Sequence, residues 1–177
     1  MKGMLIISAD RCLGCRSCEL ACAVEHSQSK DLIKAIDEDL LPQYRVEVEM
    51  MEDLTVPLQC RHCEDAPCVA ICPTHALEKV SPDSPVSLKE DLCIGCKWCI
   101  MVCPFGVIKL RRDGKAVVKC DLCQERRERG KQPACVEACP TGALEFIEIE
   151  KITKQKRKEF LVSLVKSEKE AERVRKK

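Results

Sequence analysis

The stretch Cys93-Ile-Gly-Cys-Lys-Trp-Cys-Ile-Met-Val-Cys103-Pro104 decides how the chain is read. Its four sulfurs are spaced CxxCxxCxxxC and followed by proline. They are too crowded for one tetrahedral ion to take all four, and they match the run that wraps an iron–sulfur cluster. In that pattern the first three cysteines hold one cube and the fourth reaches to a second, so one such motif implies a partner motif elsewhere.

Counting finds the partners. The 16 cysteines fall into four quartets with none left over: Cys12, Cys15, Cys18 and Cys22; Cys60, Cys63, Cys68 and Cys72; Cys93, Cys96, Cys99 and Cys103; Cys120, Cys123, Cys135 and Cys139. Three quartets end in Cys-Pro, and the residues after them echo one another: Pro73-Thr-His-Ala-Leu77, Pro104-Phe-Gly-Val-Ile108 and Pro140-Thr-Gly-Ala-Leu144. This internal repeat ties the cysteines to the start of a short strand.

At 177 residues the chain suits one compact unit or two small ones, each near the size where a hydrophobic core is marginal. Of the 45% hydrophobic residues, 16 are cysteines expected to face inorganic clusters, so metal binding must carry part of the folding energy. A disulfide scaffold is the competing reading for so many cysteines. Against it, Met4-Leu-Ile-Ile7 is too short for a signal peptide, and close CxxC spacing favours convergence on metal. Zinc would explain Cys60/Cys63 and Cys120/Cys123, but not the close third and fourth cysteines or the following proline. No apolar run approaches the roughly 20 residues of a membrane span, and the chain reads as soluble and made in a reducing cytoplasm. Net charge is +1, divided into +7 for residues 151–177 and −6 for the rest. An acidic body with a short basic tail is a poor match for nucleic acid.

Along the chain, Met4 to Ala9 predicts a strand, and Leu13 to Glu25 a cluster loop passing into a helix. Leu32, Ile33, Ile36, Leu40 and Leu41 recur at roughly helical spacing within His26–Tyr44, closed by Pro42, and suggest an inserted surface helix. Val46 and Val48 alternate with Glu47 and Glu49 as a strand does. Ser81-Pro-Asp-Ser-Pro85 is a turn between strand-like segments. Asp113-Gly114 marks a hairpin between Val107–Leu110 and Ala116–Val118. The charged insertion Gln124–Ala134 belongs on the surface. Glu148–Lys177 reads as a helix with an apolar stripe of Phe160, Leu161, Leu164 and Val165, able to dock on the body or on a neighbouring subunit. Gly14 and Gly95 are expected to make the tight turns that aim backbone amides at sulfide. Arg16, Arg61 and Lys97 are candidates for tuning potentials or for plain solvent-facing loop residues. His26, His62 and His75 are read as surface residues or neighbours of the ligands, not as ligands.

In its order of quartets the chain resembles the four-cluster ferredoxin-type subunits of anaerobic redox enzymes. Such subunits accompany molybdenum or tungsten pterin oxidoreductases, nickel carbon monoxide dehydrogenases and hydrogenases. Cys12-Leu-Gly-Cys-Arg-Ser-Cys-Glu-Leu-Ala-Cys-Ala-Val-Glu-His26 looks most like the small members serving carbon monoxide dehydrogenase, hydrogenase, or formate or aldehyde oxidation. The resemblance implies an α+β fold of two ferredoxin-like, βαβ-type units plus a C-terminal helix. The outer unit is residues 1–50 with 111–147, the inner unit is 51–110, and the tail is 148–177.

It also implies four [4Fe-4S] clusters: Cys12, Cys15 and Cys18 with Cys139; Cys120, Cys123 and Cys135 with Cys22; Cys60, Cys63 and Cys68 with Cys103; Cys93, Cys96 and Cys99 with Cys72. The chain departs from the pattern where Ala23, not proline, follows Cys22. Some relatives carry tryptophan in place of a ligand, but Trp98 lies between Cys96 and Cys99 and every ligand survives, so four-iron cubes are expected throughout. No nucleophile with a base, phosphate loop or dinucleotide fingerprint is present. The expected role is to relay single electrons between a catalytic subunit and a second redox partner, without catalysis by the chain itself. A free-standing polyferredoxin is the alternative, and a cluster-based transcriptional sensor would need a DNA-reading element that is not seen.

Overall fold

The computed structural model describes residues 3–175, with side chains through Lys166; residues 1–2 and 176–177, the last two of the expected tail helix among them, lie outside it. The strands are β1 (Gly3–Ile7), β2 (Val46–Met51), β3 (Leu54–Gln59), β4 (Leu77–Glu78), β5 (Ser87–Leu88), β6 (Lys109–Leu110), β7 (Val117–Val118) and β8 (Leu144–Glu148). The helices are α1 (Ser17–Glu25), α2 (Leu32–Ile36), α3 (Pro67–Ala70), α4 (Trp98–Val102), α5 (Gln124–Glu128), α6 (Ala134–Glu137) and α7 (Ile149–Arg175). Short 3-10 turns at Ala9–Arg11 and Glu90–Leu92 lead into the first and third quartets. Leu5–Phe146 forms one compact unit, and α7 belongs to a second.

The mixture of small helices and strands is an α+β fold in which every sheet has two strands: β1 with β8, β2 with β3, β4 with β5, and β6 with β7. The last three pairs are antiparallel hairpins. Lys109 opposes Val118 and Leu110 opposes Val117, and the Asp113 carboxylate closes the connecting turn by accepting from the Lys115 amide at 3.0 Å. The expected alternation in β2 holds, since Val46 and Val48 are buried while Glu49 is exposed. Two-stranded sheets are marginal in water by themselves. Here they lie over two apolar clusters in which cysteine is a main constituent. One gathers Leu5, Cys18, Cys22, Val46, Val48, Cys60, Val107, Cys120, Leu122, Cys135 and Leu144, and the other Ala66, Cys68, Leu77, Val86, Cys99, Ile108 and Val117.

The helices repeat one relationship: α1 packs on α6 and α3 on α4. The same equivalence appears in the backbone. Ser8 N donates to Ala143 O at 2.9 Å, and Lys89 N donates to Ala76 O at 2.8 Å. In each case the residue just before one quartet is hydrogen-bonded to the segment following the last cysteine of another.

One sequence expectation needs correction and two become more definite. The helix foreseen across His26–Tyr44 is confined to Leu32–Ile36 and outlasts neither Asp37 nor its single turn and a half. Asp31 caps it by accepting from the Ile33 and Lys34 amides, and the residue it buries is Ala35, while Leu32, Ile33 and Ile36 face solvent. Leu40 and Leu41 lie outside any helix. The insertion after Cys123 is a surface element as expected but is also anchored. Arg126 pairs with Glu25 at 2.7 Å and with Glu137, and Arg127 lies over the Phe146 ring. Of the two readings of His62, the structure selects a neighbour of the ligands: its backbone amide donates to the Cys60 sulfur at 3.5 Å, Nδ1 accepts from Val86 N at 3.0 Å, and burial pushes its pKa down to about 3. In α7, Phe160, Leu161, Leu164 and Val165 are exposed.

Candidate metal centres

The CxxC turns acquire their shape from residues in the left-handed region. Gly14 and Gly95 have φ of 67° and 66°, and the residues after the second cysteines, Arg16 and Lys97, have φ of 59° and 69° and start α1 and α4. A side chain at Gly95 would put Cβ 3.0 Å from the carbonyl oxygens of both Gly114 and Lys115, so the β6–β7 turn presses directly on this loop. The third cysteine of every quartet then falls in the first or second position of a helix: Cys18 in α1, Cys68 in α3, Cys99 in α4 and Cys135 in α6. All four are buried.

From this scaffold the thiols come together across the sequence. Cys72, Cys93, Cys96 and Cys99 line one pocket, with Leu77, Leu88 and Val117 among its apolar walls. Cys22 is close enough to Cys120, Cys123 and Cys135 to raise the pKa of each. Cys139 acts in the same sense on Cys18, and on Cys15 against the Ser17 hydrogen bonds that lower it on balance, while Cys103 acts so on Cys60 and Cys68. Cys63 adjoins Cys60, and Cys12 leads into the loop of Cys15 from a half-buried position. Two contacts cross between sets, Cys18 with Cys135 and Cys68 with Cys99, and these are the third cysteines of facing helices.

Electrostatics test whether such sets fit a metal cluster. Burial pushes the Cys18 and Cys99 thiols up to about 11 and Cys123 to about 12, and raises Cys120 and Cys135 still further. Four buried thiols in one place cannot ionise together unless cations neutralise them, and a coordinating metal deprotonates a thiol outright. The donor set therefore fits a cationic metal centre such as an iron–sulfur cluster. None of the sixteen cysteines is in a disulfide.

Cys72 and Cys139 are surrounded alike. Although burial opposes it, both are lowered by hydrogen bonds. Amides of Leu77, Thr74 and Ala76 and the Thr74 hydroxyl serve Cys72, while amides of Leu144, Thr141 and Ala143 and the Thr141 hydroxyl serve Cys139. The repeated Cys-Pro-Thr-x-Ala-Leu sequence is thus a device for supplying N–H donors to sulfur.

Several participants carry no motif. Lys119 is buried at 2% exposure and donates through Nζ to the carbonyls of Val86 and Cys120, and its charge lowers the pKa of Cys60 and Cys68. Lys79 donates to the carbonyls of His62 and Cys63 at 3.1 and 2.6 Å. Asp121, between Cys120 and Cys123, accepts from His26 and Arg45. The charge tuners suggested by adjacency fare differently. Arg16 is engaged with Glu19 and the Val48 carbonyl, and Arg61 and Lys97 are exposed.

A family model for the 4Fe-4S dicluster domain matches residues 51–149, the second through fourth quartets. The chain belongs to the 4Fe-4S dicluster domain family. Relatives extend the match over the first quartet. An iron-sulfur protein of Rhodospirillum rubrum is 46% identical over 164 residues, covering 85% of each chain. Electron transport protein HydN of Escherichia coli strain K12 is 34% identical over 176 residues, 89% of this chain and 97% of its own length. A subunit of anaerobic dimethyl sulfoxide reductase from the same strain is 36% identical over 159 residues, 84% of this chain and 75% of its own length. Membership in this family makes the chain a [4Fe-4S] iron–sulfur protein of electron transport. No helix among the described residues is long and apolar enough to cross a membrane.

Proposed function

We propose that this chain is the electron-transfer subunit of an anaerobic oxidoreductase and carries four [4Fe-4S] clusters between a catalytic subunit and a second redox partner. The catalytic subunit would be a molybdenum or tungsten pterin enzyme, such as a formate or aldehyde oxidoreductase, or a nickel carbon monoxide dehydrogenase or hydrogenase. Each cluster, when bound, supplies one-electron transfer at a potential set by charge, hydrogen bonding and exposure. The chain's residues hold, insulate and bias these sites.

The ligand assignment is the one the resemblance implies, and the proximity of the thiols supports it for all but Cys12: Cys12, Cys15, Cys18 and Cys139; Cys120, Cys123, Cys135 and Cys22; Cys60, Cys63, Cys68 and Cys103; Cys93, Cys96, Cys99 and Cys72. Two features support an inner ferredoxin unit inserted within an outer one, namely the paired packing of α1 on α6 and of α3 on α4, and the two apolar clusters.

The observation that carries the reading is the gradient of burial. Cys15 and Cys96 are exposed, so the first and last of these sets open to solvent, whereas Cys22, Cys120, Cys123 and Cys135 are all buried, and in the remaining set Cys60 and Cys68 are buried and Cys63 and Cys103 half-buried. Cys60 and Cys120 share one apolar cluster, which links the two buried sets. Electrons would arrive at one exposed set, cross the two buried ones and leave at the other. Ile94, Trp98 and Met101 are exposed around Cys96, which favours a bound subunit over a free polyferredoxin.

The test is metal analysis of the native complex purified without oxygen, together with its mass by size exclusion. Iron above about 16 per chain with molybdenum, tungsten or nickel supports the reading. Iron near 16 with no second metal and a monomer mass favours the free ferredoxin, and zinc without iron overturns both.

A further inference from the structure

Cys22 is the one fourth cysteine without a following proline, and the structure shows what stands in its place. Proline would end the helix, but with Ala23 there α1 continues to Glu25. That extra turn brings His26 onto the face of Cys22, four residues on. Nδ1 of His26 is 2.7 Å from the Cys22 carbonyl oxygen and 3.6 Å from its sulfur. Nε2 is 3.1 and 3.2 Å from the two carboxylate oxygens of Asp121. Both ring nitrogens therefore face acceptors. Arg45 completes the arrangement twice over. Its backbone amide donates to the Cys22 sulfur at 3.2 Å, and its guanidinium holds Asp121 at 2.7 Å. The other Asp121 oxygen accepts from the Cys123 amide at 2.8 Å.

We propose that His26, held by Asp121 and Arg45, is a positioning residue for the cluster assigned to Cys22, Cys120, Cys123 and Cys135. The imidazole fastens the Cys22 segment to the Cys120–Cys123 loop, 95 residues away in sequence. With the Arg45 amide, it directs N–H at the Cys22 sulfur. N–H donated to a ligand sulfur favours the reduced, more negative state, so this most buried site is made easier to reduce than the same four thiolates would be without the ring. The inference rests on the ligand assignment given under Proposed function. A helix cap alone would also place Nδ1 on the Cys22 carbonyl, but it would leave the potential unmoved.

The experiment is an anaerobic redox titration of the full-length chain, followed by electron paramagnetic resonance, on wild type, His26→Leu, His26→Gln and Asp121→Asn, with iron counted in each. The expected result is wild-type iron content with a single midpoint lowered in His26→Leu, lowered less in Asp121→Asn, and partly restored in His26→Gln, which keeps an N–H donor. In wild-type protein grown with ¹⁵N-histidine, pulsed resonance should detect nitrogen coupled to a reduced cluster, and His62→Gln should retain that coupling. If His26→Leu fails to hold iron, Asp121→Asn, which keeps the ring and every cysteine, decides. Midpoints unmoved at full iron content, or no coupled nitrogen in the wild type, overturn the inference while leaving the four-cluster reading intact. A wild-type chain without iron overturns the reading itself, and the inference with it.

Discussion

The ammonium of Lys119 lies against the carbonyl oxygen of Val86, 33 residues away in sequence, and donates a hydrogen bond to it from inside the protein. A second donation, to the Cys120 carbonyl at 2.7 Å, leaves the charge surrounded by backbone acceptors and near the thiols of Cys60 and Cys68. A cation buried at 2% exposure is costly unless negative charge is close by. Two clusters assigned to the flanking thiols would supply it.

Lys119→Met keeps the length of the side chain and removes both the charge and the donors. Buried acceptors left unpaired cost about 1–3 kcal/mol each, so with two of them the holo-protein should lose roughly 2–6 kcal/mol. Loss of a nearby cation should also lower the midpoint of one or both buried clusters. Chemical denaturation under anaerobic conditions and a redox titration check the two halves separately. Unchanged stability and unchanged potentials would remove Lys119 from the account.

Gly95→Ala and Gly14→Ala should separate sharply although the motifs around them are nearly the same. Each imposes a left-handed backbone on a residue with Cβ, at roughly 1–2 kcal/mol. At Gly14 the new atom meets the Thr55 methyl at 3.3 Å, which belongs to a side chain that can give way. At Gly95 it meets two backbone carbonyl oxygens at 3.0 Å. Gly95→Ala is expected to displace the β6–β7 turn or the Cys93–Cys96 loop, losing about one cluster of iron per chain, whereas Gly14→Ala keeps its iron. Iron analysis of the two variants decides.

Removal of the clusters should abolish cooperative folding. The body is held by two-stranded sheets and by helices of four to nine residues, and its two apolar clusters are built in large part from cysteine. Without iron, buried thiols replace buried metal-bound sulfur, and the apolar area left is small for so many short elements. Far-UV circular dichroism after anaerobic chelation should show lost structure and no cooperative melt. A sharp thermal transition in the metal-free chain would contradict this.

Much of the site is legible in the sequence because a metal cluster imposes short, fixed cysteine spacing that no other pressure on the chain imitates. The hairpin at Asp113-Gly114 and the alternation at Val46 and Val48 are legible for similarly local reasons. The features that escape depend on distant partners. Asp121 reads as an ordinary loop acid until His26 and Arg45 arrive from elsewhere, and nothing in Val-Val-Lys119-Cys announces a buried ammonium. The apolar spacing at Leu32, Ile33 and Ile36 misleads because those residues point outward, and the small Ala35 makes the contact with the body. Lys97 draws notice for its charge, yet its observed part is a backbone one, a left-handed residue that starts α4.

Oxygen should distinguish the sets by exposure. Oxidation of sulfur follows access, and Cys15 and Cys96 are exposed while the Cys22, Cys120, Cys123 and Cys135 thiols are 5–8% exposed. Controlled aeration of the fully loaded chain should therefore proceed in two phases, with iron falling from about 16 to about 8 per chain in the first and more slowly in the second. Alkylation of freed thiols and peptide mapping should find Cys12, Cys15, Cys93 and Cys96 modified early, and Cys120, Cys123 and Cys135 late. Cys72 and Cys139 are expected in the early group, because each is assigned to an exposed set even though it sits far along the chain from its partners. Early modification of Cys72 together with Cys60 and Cys63 instead would mean that each quartet holds its own cluster, and the crossed assignment would fall.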